Sequence, residues 1–326
     1  MRIYLWNKLS KEDRIQTMKE YFKNIMRNKL NVNIDRISFG KKVSYKYGVF
    51  ILNNIRVSRR SPIIELLNDN QPTSLSDIKK CLFDGYDIVA NIDVKKCRQF
   101  WWYKLNEIAP LVLTARKLIY NNTNEAKAIL EKYYNTVKPR TASDRLGIRN
   151  NQFENYGPDA ALMPWEKGDP VETEKIKKDG YLQENKSFGL NNVEFGSLFG
   201  PVPSIKIDSE LKRLQNLIYS IKYNGYSRHN GKDGDIGGYL LYDDSSVNEK
   251  WCVRLDKKGN HRAAVLAAMG YSVTPVRILN NNLILRSEVN KWPQVIAGRL
   301  NIDKALVIFD NMIDGKIPFV YKWSPQ

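Results

Sequence analysis

WCVRLDKKGNHRAAVLAAMGYSVTPVRI, residues 251–278, reads as a strand, a tight glycine turn, a helix and a second strand. Apolar and β-branched residues fill both ends of the stretch, and alanines take four of the six positions 263–268. A helix that opens directly after Gly259 presents its first backbone N–H groups and the positive end of its dipole, which attract an anion. His261 and Arg262 fall in the first turn, where an imidazole and a guanidinium add charge-assisted contacts to a phosphate. Gly259 allows close backbone approach, so Gly259, Asn260, His261 and Arg262 are the candidate phosphate-binding residues. The same pattern also suits a plain helix cap with surface side chains, and the flanking segments must arbitrate.

Upstream, residues 211–225 (LKRLQNLIYSIKYNG) carry a helical pattern that ends in glycine. About thirty residues later come GNHRAA, a small-residue helix, Met269-Gly270-Tyr271 and the closing strand VTPVRI. This order and spacing, over roughly residues 195–280, resembles the ParB/sulfiredoxin superfamily of nucleotide-binding domains. Sulfiredoxins carry G-C-H-R at the turn, and ParB proteins carry G-E-R-R before an alanine helix. The attacking cysteine of sulfiredoxins aligns with Asn260, so sulfinic acid reduction is not expected. With Asn260 and His261 in place of the ParB acid and first arginine, strict CTP-clamp behaviour is not expected either. The resemblance implies a nucleotide, ATP or CTP with Mg²⁺, held at the turn. Kinases of the same superfamily add the implication of phosphoryl transfer to a small-molecule or carbohydrate hydroxyl. Phe199-Gly200-Pro201-Val202 stands where ParB proteins present a second nucleotide-contacting segment, which adds Gly200 to the binding residues.

Phosphoryl transfer calls for a carboxylate that holds Mg²⁺ or accepts the proton of the attacking hydroxyl. Asp235, in the loop and strand GKDGDIGGYLLY (231–242), is the first choice for both roles, followed by Asp233, Glu194 and Asp256. His261 is the second catalytic candidate. DGDIGG lacks the alternating oxygens and terminal glutamate of an EF-hand, and turn chemistry accounts for it equally well.

The chain has 326 residues, 42% of them hydrophobic and 11% aromatic, which fits a folded protein of one to three domains. No run of eighteen apolar residues occurs and residues 1–14 lack a signal-peptide core, so a soluble or peripheral, cytoplasmic protein without a transmembrane segment is expected. Three cysteines, Cys81, Cys97 and Cys252, lack metal-ligand spacing and cannot all pair. The net charge of +17 is uneven: residues 1–150 hold 29 Lys+Arg against 14 Asp+Glu, the remainder 23 against 21. The front half is therefore expected to face a polyanion or an anionic membrane surface, although a solvated basic face has the same composition.

The expected fold class is α+β: a basic, mostly helical domain over 1–150, a Pro/Gly-containing connector or lid over 151–194, and a small mixed α/β nucleotide-binding domain with a helical extension over 195–326. Helical spacing marks 11–30, and 49–57 is strand-like. Helices are expected at 63–69 (IIELLND), at 72–85 with a serine cap and a glycine stop, and between 97 and 148 with breaks near Pro110 and residues 121–123. Phe100-Trp101-Trp102-Tyr103 cannot all face one core in a regular element, so one ring is expected in a pocket or an interface. Trp165, in YGPDAALMPWEKG (156–168), is the lid residue that would stack on a base or sugar. Residues 286–318 read as short helices broken at Pro293 and Gly298, with too little positive charge for a DNA-reading helix-turn-helix. Two functions follow: a kinase-like nucleotide-binding phosphotransferase, or a nucleotide-gated module that grips DNA or another polyanion without small-molecule turnover.

Overall fold

Gly259 separates a strand from a helix, as the sequence predicts, and the rest of a sheet assembles on that pair. The computed structural model describes residues 63–325 except 68–70, 106–107, 150, 192–193, 197, 229–234, 248 and 257–258, together with strand backbone at 37–38, 44–46, 49–51 and 56–57. The chain divides into two compact units, Met1–Pro62 and Ile63–Gln326. In the first, β1 (Ile37–Ser38), β2 (Ser44–Lys46), β3 (Val49–Ile51) and β4 (Arg56–Val57) pair antiparallel, β1 with β4 and β2 with β3. The helix expected over 11–30 lies outside the described residues.

The second unit is α+β. Its seven-stranded mixed sheet draws on β5 (Ile63–Leu66), β6 (Asp87–Asp93), β7 (Cys97–Gln99), β8 (Tyr103–Lys104), β9 (Ile236–Asp243), β10 (Lys250–Leu255) and β11 (Val273–Leu285), in the order β5-β6-β11-β9-β10-β7-β8. The boundaries expected at 150 and 194 do not separate compact units. Four strands from residues 63–104 share this sheet with three from 236–285, β6 pairing with β11 and β7 with β10. Residues 63–69, expected to be helical, instead supply β5, which lies parallel to β6. Four apolar-rich residues carry no period of their own, and pairing decided the matter.

Ten helices are described: α1 (Leu75–Phe83), α2 (Pro110–Ile119), α3 (Thr123–Thr136), α4 (Ala142–Leu146), α5 (Asn151–Glu154), α6 (Pro170–Ser187), α7 (Ser204–Asn224), α8 (Asn260–Ala268), α9 (Pro293–Ile296) and α10 (Ile302–Asp314). Ser74 caps α1 by accepting from Asp77 N at 3.1 Å, and the breaks near Pro110 and 121–123 fall where expected. Adjacent residues of β7 locate the layers, because neighbouring side chains on a strand point to opposite faces. Gln99 donates to Asn260 O at 2.9 Å, whereas the Arg98 guanidinium donates to Met312 O and Ile313 O, each at 2.7 Å. Helices α8 and α10 therefore cover opposite faces, and α2 and α7 pack on α8.

All four rings of Phe100-Trp101-Trp102-Tyr103 are buried, and of the expected pocket or interface placement the structure shows Phe100 on the wall of a small cavity. The backbone explains it: φ is 50° at Phe100 and 79° at Trp101, so the β7–β8 turn leaves strand geometry and the alternation fails. Such left-handed residues cost roughly 1–3 kcal/mol each. Trp102 donates to Arg145 O at 3.3 Å and Tyr103 to Tyr321 O at 2.6 Å.

The described residues of 151–194 include regular, packed structure. The eighteen-residue α6 occupies nearly half of them, and Trp165 is buried edge-on against Trp292 and Phe309, at 5.5 and 5.9 Å between ring centroids. Trp165 thus supports the core beside α9 and α10 and is closed to a base or sugar. Among the described residues, no helix is long and apolar enough to cross a membrane.

Candidate functional site

The turn between β10 and α8 is held from below. Asp256 N donates to Gly237 O at 2.8 Å, and Gly259 N donates to Asp256 O at 3.2 Å. A Cβ at Gly259 would overlap the Ile236 side chain, so glycine is required by space; its φ of −109° suits any residue. The first regular helical bond runs from Ala263 N to Gly259 O at 3.0 Å, and α8 has no side-chain cap for its earlier amides. Asn260, His261 and Arg262 are only 4%, 6% and 9% exposed. They form a buried base between two different surroundings.

On the α7 side, His261 Nε2 meets Glu210 Oε2, and Lys206 Nζ reaches Glu210 Oε1 at 2.8 Å and Asn185 Oδ1 at 2.7 Å. Asn185 in turn donates to Phe195 O at 3.0 Å. Burial pushes the Glu210 carboxyl up, but His261, Lys206 and Arg213 outweigh it and hold the group well below the usual carboxylate range. Sequence reasoning missed this chain of contacts. The signal available was Lys206 and Glu210 lying four apart on the same buried face as Ile207, Leu211 and Leu214.

Two cavities open from this side. One of about 20 Å³, room for a single water, lies against Phe100, Tyr181, Arg213, Asn260 and His261. The other, of about 200 Å³, shares Tyr181 and Leu198 with it and is lined by Asp159, Glu194 and Gly200, with no lysine or arginine among its described walls. Asp159 accepts from Tyr181 OH at 2.7 Å and Arg145 at 3.2 Å. Gly200 lines the larger cavity, but its amide donates to Val137 O at 2.8 Å, and a Cβ there would overlap Tyr134 O. Gly200 and the GNHR turn thus border two neighbouring cavities that share Tyr181 and Leu198 as walls. Nearby, Lys177 donates to Ala161 O at 2.7 Å, and burial, reinforced by Arg145, holds its amine down to about 7.

On the other side, the fold brings Asp235 to the turn, since Ile236 is the residue that fills the space above Gly259. Arg228 donates through Nε to Asp235 Oδ1 and pairs through Nη1 with Glu65, each at 3.0 Å. Tyr226 sits among these charges: burial raises its hydroxyl, Arg262 and Arg228 lower it and Asp235 raises it. Its oxygen is buried and has no hydrogen-bond partner among the described residues. Asp256 is exposed next to the turn, Glu194 lies on the far cavity, and Asp233 falls outside the described residues.

Among the described residues, no group of three or more His, Cys, Asp or Glu is arranged for a metal ion. Asp235 alone, already bonded by Arg228, does not make a protein cage for Mg²⁺, which prefers six ligands and keeps several waters or phosphates. No family model, curated protein or solved structure matches the chain.

Proposed function

We propose that the start of α8 is a phosphate site and that the protein is a ParB/sulfiredoxin-like, nucleotide-binding phosphotransferase acting on a small-molecule or carbohydrate hydroxyl. The observation that carries this reading is the cluster on the Asp235 side. Arg262, Arg228 and Asp235 all act on the buried Tyr226 hydroxyl, which has no partner among the described residues, next to a helix start whose first amides lack a side-chain cap. Unpartnered buried hydroxyls are costly, and a phosphate oxygen would satisfy this one. Two guanidiniums and the helix dipole would neutralise the phosphoryl oxygens. Asp235 would orient Arg228 and accept the proton of an acceptor hydroxyl. His261, engaged by Glu210, positions the turn and leaves phosphate to the backbone amides and Arg262.

A second reading is favoured by the placement of charge. Met1–Pro62 holds fifteen Lys+Arg against four Asp+Glu, eleven of the +17 net charges. A polyanion-gripping module gated by nucleotide would place its grip there. Calorimetry of ATP, ADP, CTP and GTP with Mg²⁺ against wild type and Arg262→Ala tests the first reading, with turnover of Asp235→Asn as its second arm. The expected result is selective binding that Arg262→Ala abolishes and Asp235→Asn retains without turnover. Absence of any nucleotide binding would overturn both readings.

A further inference from the structure

Helix α8 spans about 13 Å at 1.5 Å per residue, and at the end opposite Gly259 its cap, Met269, borders an open groove of about 600 Å³. The groove runs between α7 and the α2–α3 junction. Its floor is apolar, made by Leu118, Ile119 and Ile218 together with Met269. Tyr219 and Tyr223, one turn apart on α7, stand on its rim with 65% of each residue exposed and their ring centroids 4.4 Å apart. Tyr120, beside groove residues Ile119 and Asn121, is 82% exposed. Three exposed tyrosines so close to one groove are an interaction surface rather than scattered surface residues.

The remaining groove residues define the partner. Gln215 and Asn216 lie one turn before Tyr219 and project amides that can both donate and accept. Lys222 is the single charged residue among the described walls, and no carboxylate lines the groove. Exposed Lys212 continues the helical stripe of Asn216, Tyr219 and Tyr223 at i, i+4, i+7 and i+11. Stackable rings, amides for base edges, lysines and an absence of acids are the elements of a platform for single-stranded nucleic acid. We propose that this groove binds a single-stranded nucleic acid, with bases stacked on Tyr219 and Tyr223 and phosphates met by Lys222 and Lys212. An acidic apolar peptide meets the lysines and the amides but lacks the flat bases that stack on two neighbouring exposed rings. The site is separate from the phosphate turn and does not rest on nucleotide binding there.

Anisotropy of a fluorescein-labelled fifteen-nucleotide oligo(dT), free and annealed to oligo(dA), tests the proposal on the full chain. Wild type is expected to prefer the single strand. Replacing both rings, as Tyr219→Ala with Tyr223→Ala, is expected to weaken binding roughly ten-fold or more, whereas Phe at both positions retains it, because the ring face carries the stacking. Lys222→Gln is expected to lower the slope of affinity against salt. Failure of wild type to bind the single strand, equal affinity for the duplex, or an Ala/Ala variant within two-fold of wild type each overturns the proposal. In the last two cases binding belongs to basic residues elsewhere. Ultraviolet crosslinking of wild type needs no variant: adducts at Tyr219 or Tyr223 support the site, and adducts confined to other segments overturn it.

Discussion

The two sides of the α8 start differ in how their charged and hydroxyl groups are satisfied, while Asn260 Oδ1 and Gln99 Oε1, buried beside the turn, have no hydrogen-bond partner among the described residues. Toward α7, His261, Glu210, Lys206 and Asn185 form a closed chain in which each charge meets a partner. Toward Asp235, a buried tyrosine hydroxyl has none among the described residues, although two arginines and a carboxylate act on it. A closed network fixes geometry and resists change, whereas a group with no partner among the described residues, beside a helix start without a side-chain cap, is where a ligand gains the most. The histidine, the eye-catching residue of GNHR, therefore belongs to the anchoring side, and Arg262 to the side with unmet polar demand.

Breaking the anchor should produce the largest effect. Glu210→Ala strands a buried lysine and the histidine, and is expected to cost about 3–5 kcal/mol in urea unfolding; a loss under about 1 kcal/mol would mean the network is slack. Its pH dependence follows from the sign of the shift. Because the folded Glu210 carboxyl titrates below its unfolded value of about 4.3, its contribution is complete above that pH and is lost as pH falls toward the depressed folded value. Glu210→Gln should accordingly flatten the acid limb of stability, and an unchanged limb would assign acid sensitivity to other carboxylates.

Gly259→Ala comes next, at about 1–3 kcal/mol from forced overlap with Ile236. Because the cause is overlap, Ile236→Ala in the same chain should recover part of that loss, and strictly additive losses would refute the steric account. The smallest effect is expected on the unsatisfied side. Tyr226→Phe removes a hydroxyl that has no partner among the described residues and should leave stability unchanged or raise it by up to about 1 kcal/mol, while weakening nucleotide binding. A clear destabilisation would reveal a partner for the hydroxyl and remove the contrast between the two sides.

The parts of this site that one stretch of sequence contains were legible in it. Strand, Gly259 turn and α8 are local, and so is the helix over 211–225, which begins earlier, at Ser204. What pairing creates was not legible. Glu210 and His261 are 51 positions apart, and Asp235 reaches the turn only because β9 places Ile236 over Gly259. Helix α6 escaped notice because it is polar almost throughout, burying only Pro170, Tyr181 and Asn185, so no apolar period marks it. Trp165 was misjudged for the opposite reason: an isolated tryptophan between prolines gives no hint of the aromatic partners waiting in α10 and beside α9.

The strand order also sets a timetable for synthesis. β6, buried along nearly its whole length, can pair with β5 as soon as both emerge, but its other neighbour, β11, begins 180 residues later. At roughly 5–20 residues per second, the ribosome leaves that apolar edge uncovered for about ten to forty seconds. For that interval the nascent chain displays a sheet edge able to capture another chain, so the yield of native protein should depend on translation speed and on chaperones that shield the edge.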